Sequence, residues 1–99
     1  MARRRGAAKT VFITGAGGGL GGATARYLAQ QDWTVFAADF DAKALKALDG
    51  VENIVTVQLD VTDAASCEAA RRRVARACDG LDGIVNFAGI LAVGSVVEI

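Results

Sequence analysis

The amino-acid sequence predicts an α/β fold, a doubly wound parallel sheet with helices on both faces. Two patterns lead to this prediction. Four short apolar segments rich in β-branched residues alternate with helical segments. None of the four alternates between apolar and polar residues, as a strand with one solvent-exposed face would, so we expect strands that are covered on both faces. Helices that connect parallel strands form right-handed crossovers and pack on both sides of the sheet.

The predicted strands and helices follow one another along the chain after a short N-terminal segment. The strands cover Thr10–Thr14, Thr34–Ala38, Ile54–Leu59 and Gly83–Ala88. The first two helices cover Leu20–Gln31 and, after an N-cap at Asp41, Ala42–Leu48. The third starts after Thr62 or Asp63, either of which is a good N-cap, and runs to about Cys78. We expect one domain over residues 9–99, preceded by a basic, flexible tail over residues 1–8.

Helical spacing indicates which side chains face the sheet. On the first helix, the expected apolar stripe is Leu20, Ala23, Thr24, Tyr27 and Leu28. On the third helix, the residues at the same spacing are Cys67, Ala70, Val74 and Cys78. Both cysteines are therefore expected to be small core residues rather than reactive thiols.

The composition argues against several classes of function. The 11 basic and 11 acidic residues balance, so the overall charge offers no attraction to nucleic acid or to an anionic membrane. No apolar segment approaches the ~20 residues that a membrane span needs. Two cysteines and no histidine argue against a disulfide framework and against a transition-metal site. Reduced thiols are typical of a cytoplasmic protein, and this is the location we expect.

A glycine cluster, Thr14–Gly22, lies where the first predicted strand passes into the first helix. Glycine tolerates a tight turn, and the missing side chains let backbone amides at the helix N-terminus approach a phosphate. Two glycine spacings fit, and the one that starts at Gly15 is favoured over the one that starts at Gly17 because Gly15 directly follows the strand. No Gly-Lys-Ser/Thr follows, which excludes a P-loop. The predicted pyrophosphate contacts are Gly15, Gly17, Gly18, Gly19, Leu20 and Gly21.

Asp39 ends the second predicted strand, where a dinucleotide-binding fold has its ribose-binding acid. A carboxylate there accepts hydrogen bonds from the 2′- and 3′-hydroxyls of adenosine and repels a 2′-phosphate. Asp39 therefore predicts NAD (NADH) as the cofactor and disfavours NADP. Phe40 follows Asp39, and no basic residue stands at positions 16–18 to receive that phosphate. Asp41 is the competing acid, but it lies two residues past the strand, so its predicted role is to cap the second helix.

With these residues identified, the sequence after the basic tail resembles the compact, single-domain branch of the short-chain dehydrogenase/reductases. Three family motifs carry the resemblance. The signature TGxxxGxG matches Thr14, Gly15, Gly19 and Gly21, the Asp-Val pair matches Asp60-Val61, and the NNAG motif reads Asn86-Phe87-Ala88-Gly89 with Phe87 in place of the second asparagine. The resemblance implies a Rossmann-type sheet with strand order 3-2-1-4. It also implies that Asp60 and Val61 bind adenine, that Asn86 steadies the sheet, and that Ala88 and Gly89 pass close to the ribose.

The same resemblance implies an NAD-dependent oxidoreductase that transfers hydride between the nicotinamide and a small alcohol or carbonyl substrate, in a homo-oligomeric full-length protein. The family's catalytic Tyr-x-x-x-Lys pair does not occur here, since Tyr27, the one tyrosine, is followed by Gln31 at the lysine position. We therefore predict no catalytic residue in the chain, and an inactive, truncated half-domain whose fourth strand is an exposed, aggregation-prone edge. Two alternatives stay open: a non-catalytic nucleotide-binding module, and a fragment of an S-adenosylmethionine-dependent methyltransferase.

Overall fold

The computed structural model describes residues 9–87, which form a four-stranded parallel sheet. The strands are β1 (Thr10–Thr14), β2 (Thr34–Asp39), β3 (Ile54–Gln58) and β4 (Gly83–Asn86). They are arranged in the order β3-β2-β1-β4, and every neighbouring pair is parallel. This order confirms the predicted 3-2-1-4 arrangement. The predicted ends of three strands differ: β2 runs one residue further, to Asp39, β3 stops one residue earlier, at Gln58, and β4 stops at Asn86.

Three helices connect the strands, close to where the sequence predicts them. They are α1 (Gly19–Gln30), α2 (Ala42–Leu45), which continues as a 3-10 turn over Lys46–Leu48, and α3 (Ala64–Ala77). Asp41 caps α2 by accepting a hydrogen bond from the Lys43 N–H at 2.9 Å, which confirms its predicted role. Of the two candidate caps for α3, it is Asp63 that accepts from the Ala65 N–H, at 3.2 Å.

The core is divided between the two faces of the sheet, because successive residues of a strand point to opposite sides. On one face, α1 and α2 cover the first cluster: Val11, Ile13, Ala16, Ala25, Ala29, Val35, Ala37, Leu45 and Leu48. On the other face, α3 covers the second: Phe36, Ala38, Val57, Leu59, Ala70 and Val74. Helices on both faces confirm the doubly wound architecture.

The predicted apolar stripe of α1 is wrong in most of its members. The buried residues of the helix are Gly21, Gly22, Ala25 and Ala29, whereas Leu20 and Tyr27 are 63% and 60% exposed. Ala23 is exposed as well, Thr24 is half-buried, and only Leu28 packs against the core. The reason is the close approach of α1 to the end of β1: a Cβ at position 21 would collide with the Gly15 carbonyl oxygen. Only the face made of glycine and alanine allows so short a distance.

The prediction for the cysteines is wrong for Cys67 and holds in part for Cys78. Cys67 is exposed, and its thiol lies against the carbonyl oxygens of Asp60 and Val61, at 3.8 and 3.7 Å. The first turn of α3 therefore packs over the loop after β3. Cys78, the C-cap of α3, is half-buried and packs against the second cluster.

Within residues 9–87, no helix combines the length and the apolar character that crossing a bilayer requires. The same range contains no group of three or more acidic or cysteine side chains arranged to hold a metal ion.

Candidate nucleotide-binding site

A cleft of about 600 Å³ opens at the carboxyl edge of the sheet, where the chain leaves β1, β2, β3 and β4. It is centred on β1, at which the strand order reverses, and this is where open α/β sheets bind ligands. Of the site residues predicted from the sequence, those that line the cleft are Gly15, Gly18, Gly19, Leu20, Gly21, Asp39, Phe40, Asp60 and Val61. The lining also includes five residues outside that prediction: Thr14, Ala38, Leu59, Thr62 and Phe87.

The turn between β1 and α1 is held by backbone hydrogen bonds and by one left-handed glycine. Gly15 has φ +72°, a conformation that L side chains rarely adopt. The Ala16 N–H donates to the Ala38 carbonyl at 2.9 Å, and the Gly18 N–H donates to the Gly15 carbonyl at 3.2 Å. These bonds fix the turn against β2 and bring the N-terminus of α1 to the cleft.

The N-terminus of α1 carries positive partial charge, and no side chain caps it. Gly18 is the N-cap and has no side chain to accept a hydrogen bond, and the first turn holds no acidic residue. The helix is 12 residues long, so its dipole is well developed at this end. This end of the cleft is therefore suited to an anion such as a diphosphate.

Two glycines of the turn, Gly21 and Gly19, differ in whether the structure has room for a side chain. At Gly21 a Cβ would collide with the Gly15 carbonyl oxygen, so packing requires glycine there. At Gly19, by contrast, a Cβ would meet nothing within 4 Å, and the backbone has no left-handed conformation. Neither packing nor backbone geometry among the described residues requires glycine at position 19. The empty space beside it is available to a ligand.

Asp39 is half-buried, and backbone N–H groups hold both oxygens of its carboxylate. Oδ2 accepts from the Gly17 N–H and Oδ1 accepts from the Asp41 N–H, each at 2.9 Å. A carboxylate oxygen has a second lone pair, so both oxygens can still accept hydrogen bonds from a ligand. Gly17 itself does not line the cleft, and it acts on the site through this contact.

Asp60 follows β3, the strand beside β2, and lies in a short turn that Thr62 closes. The Thr62 N–H and hydroxyl both donate to Oδ1 of Asp60, at 2.9 and 2.6 Å. These two bonds favour the charged carboxylate and lower the pKa of Asp60 below its ordinary value of 3.8. The Asp60 N–H donates to the Ser66 hydroxyl at 2.9 Å, which ties the turn to α3.

Three large apolar side chains border the cleft and are exposed to solvent. Leu20, Phe40 and Val61 are 63%, 68% and 56% exposed, and they follow β1, β2 and β3 respectively. Exposed apolar groups that border a cleft are typical of a ligand-binding groove. A flat aromatic ring is the kind of group that these side chains can cover.

Asn86 lies at the end of β4, beside the cleft rather than in its lining. Its Oδ1 accepts from the Thr14 hydroxyl at 2.5 Å, and the next residue, Phe87, donates its N–H to the Thr14 carbonyl at 3.0 Å. These contacts join the start of the glycine motif to the start of the fourth-strand motif. Ala88 and Gly89 lie outside the described residues.

One functional contact that the sequence reasoning missed is that of Thr62 with Asp60. The signal was present, because an aspartate followed two residues later by threonine is typical of a turn that the aspartate side chain closes. The other omission is Ala44 in α2, which packs against Gly17. Its position depends on where α2 lies over the turn, and nothing local in the sequence indicates that.

Known proteins match this chain over nearly its whole length. The model of the family described as short chain dehydrogenase matches residues 9–99. A meso-2,3-butanediol dehydrogenase from Serratia marcescens is 35% identical over 91% of this chain and 37% of its own length. A 2-keto-3-deoxy-L-fuconate dehydrogenase from Xanthomonas campestris pv. campestris is 38% identical over 91% of this chain and 29% of its own. The chain thus spans about a third of the length of these curated relatives.

A solved structure shares both the fold and part of the sequence. The crystal structure of 3-ketoacyl-(acyl-carrier-protein) reductase from Brucella melitensis, complexed with NADH, superposes with a TM-score of 0.71 at 26% identity. The match covers 77% of this chain and 32% of the reductase. The cleft described above therefore belongs to a fold that binds a nicotinamide dinucleotide in a related protein.

Proposed function

The chain belongs to the short-chain dehydrogenase family, and from this premise we propose that its cleft binds NAD(H) for an alcohol or carbonyl oxidoreductase. The observation that carries the proposal is the open environment of Gly19. A glycine that neither packing nor backbone conformation requires stands exposed at the N-terminus of α1, beside amides that no side chain caps. A diphosphate between the adenosine and nicotinamide halves of the cofactor fits that position in size and in charge.

The walls of the cleft fit the rest of the adenosine half. Asp39 accepts hydrogen bonds from the ribose hydroxyls, with its carboxylate already oriented by the Gly17 and Asp41 amides. Asp60 and Val61 hold the adenine, the first through its carboxylate and the second through its exposed side chain. The complete group of residues that we propose to bind the cofactor is the predicted one: Gly15, Gly17, Gly18, Gly19, Leu20, Gly21, Asp39, Phe40, Asp60, Val61, Asn86, Ala88 and Gly89.

Asp39 also favours NAD over NADP in this proposal. A phosphate on the 2′-hydroxyl would bring at least one further negative charge against the carboxylate. Like charges about 4 Å apart repel by about 1 kcal/mol in water and about 4 kcal/mol near a protein surface. The neighbouring Phe40 and the glycines of the turn offer no cation to compensate.

The chemistry that the bound cofactor supplies is the exchange of a hydride at the nicotinamide ring. The described residues provide binding and orientation for it. By family resemblance, a Tyr-x-x-x-Lys pair moves the substrate proton, and at Tyr27 the fourth following residue is Gln31. We therefore propose that the 99-residue chain binds NADH without turning over substrate, and that the full-length homo-oligomer, in the cytoplasm, acts on a small alcohol or carbonyl compound.

Titration of the chain with NADH, NADPH and S-adenosylmethionine tests this function, with nicotinamide fluorescence and calorimetry as readouts. We expect saturable NADH binding that is tighter than NADPH binding, and no heat with S-adenosylmethionine. Saturable binding of S-adenosylmethionine alone would support the methyltransferase alternative. Dehydrogenase assays of the full-length gene product with simple secondary alcohols separate an enzyme from a binding module, because the module binds NADH and gives no turnover.

A further inference from the structure

Position 17 is surrounded on two sides, although it does not line the cleft. A Cβ at Gly17 would lie 2.5 Å from the Cβ of Ala44 and 2.9 Å from Oδ2 of Asp39. Both distances are shorter than real Cβ contacts. The structure therefore bars a side chain at position 17, and one of the two barriers is the methyl group of α2.

Ala44 cannot withdraw from Gly17 without breaking several contacts of α2. The Ala44 N–H donates to the Asp41 carbonyl at 3.1 Å, and the next residue, Leu45, is 4% exposed in the first core cluster. Asp41 in turn donates its own N–H to Oδ1 of Asp39 at 2.9 Å. The contacts between Asp39, Asp41, Ala44 and Gly17 thus form a closed ring around the carboxylate.

The ring has a chemical consequence for the choice of dinucleotide. Position 17 lies beside Asp39, so a basic side chain there would be well placed to meet a phosphate on the ribose that Asp39 holds. An Arg or Lys forms strong charge-assisted hydrogen bonds to phosphate. As long as the Ala44 methyl occupies its present place, no such side chain fits.

We propose that Ala44 is a specificity-positioning residue: its methyl group keeps position 17 without a side chain, holds the Gly17 amide on Asp39, and excludes from position 17 a cation that would bind a 2′-phosphate. This inference rests on the proposed function, since it concerns the choice between NAD and NADP at the same site. Ala44 acts through Gly17 and Asp39 and does not touch the ligand.

A ligand-free test uses the melting temperature of chains that carry Asp39→Ser, which removes the contact of position 17 with Oδ2 of Asp39 and keeps the contact with the Ala44 methyl. We expect Gly17→Ala to lower the melting temperature by about 5 °C or more, as overpacking does in a domain of this size. With Ala44→Gly added, the same Gly17→Ala change should have an effect of about 1 °C or less. Ala42→Gly is the matched control, because it removes a methyl from the exposed start of the same helix. An equal effect of Gly17→Ala with and without Ala44→Gly would show that the methyl is not the barrier.

The binding test compares NADPH affinities of the Asp39→Ser, Gly17→Arg chain with and without Ala44→Gly, alongside wild type. We expect the triple variant to bind NADPH about 10-fold more tightly or better than the double variant, because the arginine reaches the phosphate only when the methyl is removed. Ala42→Gly in place of Ala44→Gly should give no gain. Equal NADPH affinity of the double and triple variants, or an equal gain from Ala42→Gly, would overturn the role of Ala44 and leave the proposed function intact. If the wild-type chain binds neither dinucleotide, the proposed function fails, and the inference fails with it.

Discussion

Substitution of Gly19 separates the stability of the fold from ligand binding. Because a Cβ at this position meets nothing within 4 Å, Gly19→Ala should leave the fold intact. Alanine is favoured over glycine in a helix by about 0.5–1 kcal/mol, and at the first residue of α1 we expect a gain at or below the lower end of that range. The melting temperature should therefore stay constant or rise slightly.

The same methyl group would enter the space that we assign to the diphosphate. If it displaces the phosphate from one backbone amide, the loss is that of one hydrogen bond to a charged group, about 1.5–3 kcal/mol. This corresponds to a roughly 10- to 100-fold increase in the Kd for NADH. Fluorescence titration at constant ionic strength measures the Kd, and thermal denaturation of the same sample measures stability.

Gly80→Ala is the matched control for this experiment. A Cβ at Gly80 also meets nothing within 4 Å, and Gly80 lies in the loop before β4, at the opposite edge of the sheet from the cleft. It should change neither the melting temperature nor the Kd by a measurable amount. An NADH affinity of Gly19→Ala equal to that of wild type would refute the reasoning, since the space beside Gly19 would then not be the position of the phosphate.

Three further predictions concern charge at the site and the edge of the sheet. Asp39→Asn, which keeps the shape of the side chain, should reduce the preference for NADH over NADPH by about 10-fold, because the repulsion of the 2′-phosphate is removed; competitive titration of the two dinucleotides measures the ratio. Thr62→Val should raise the pKa of Asp60 back toward 3.8, because two hydrogen bonds lower it in the folded chain and the variant removes that of the hydroxyl; a carboxyl NMR titration detects this. Because the pKa of Asp60 is lowered in the folded chain, the stabilisation from these bonds is present above pH 3.8 and is lost as the pH falls through the folded pKa. An unchanged acid unfolding midpoint in Thr62→Val would contradict this contribution to stability. Ile84→Thr should increase the soluble, monomeric fraction of the chain in size-exclusion chromatography, because Ile84 is 68% exposed on β4, the outermost strand of the sheet within residues 9–87. Unchanged association would show that this strand is not the contact.

The elements that depend on local or near-local patterns could be predicted from the sequence. The doubly wound parallel sheet followed from right-handed crossovers between parallel strands, whereas its strand order was implied by the family resemblance. The capping role of Asp41 followed from its position two residues past β2. The glycine turn was identified because a tight strand-to-helix connection requires residues without a Cβ at defined places. In each of these cases the constraint acts within a few residues or within one βαβ unit.

The features that could not be predicted depend on the distance between elements. The buried face of α1 is set by how closely the helix approaches Gly15, and this distance selects Gly21 and Ala25 over the larger Leu20 and Tyr27. Periodicity alone favoured the larger apolar side chains. In the same way, the exposure of Cys67 depends on how the first turn of α3 packs on the loop after β3.

The network around Asp39 is the clearest case of a site feature that only three dimensions reveal. The sequence placed the carboxylate at the end of β2, but it did not indicate that the Gly17 and Asp41 amides orient it. The first of these contacts joins residues 22 positions apart. It depends on the packing of the glycine turn against the start of α2.

The most direct test of the central claim is a ¹⁵N NMR titration of the 99-residue chain with NADH. We expect saturable shifts of the backbone amides of Gly17, Gly19, Leu20 and Gly21 and of the Asp39 amide, with the α3 amides from Ala70 to Val74 unchanged. The same titration with NADPH should produce the same pattern only at higher ligand concentration. Saturable shifts confined to α3, or no shift at the N-terminus of α1 at millimolar NADH, would contradict the claim that this turn binds the diphosphate.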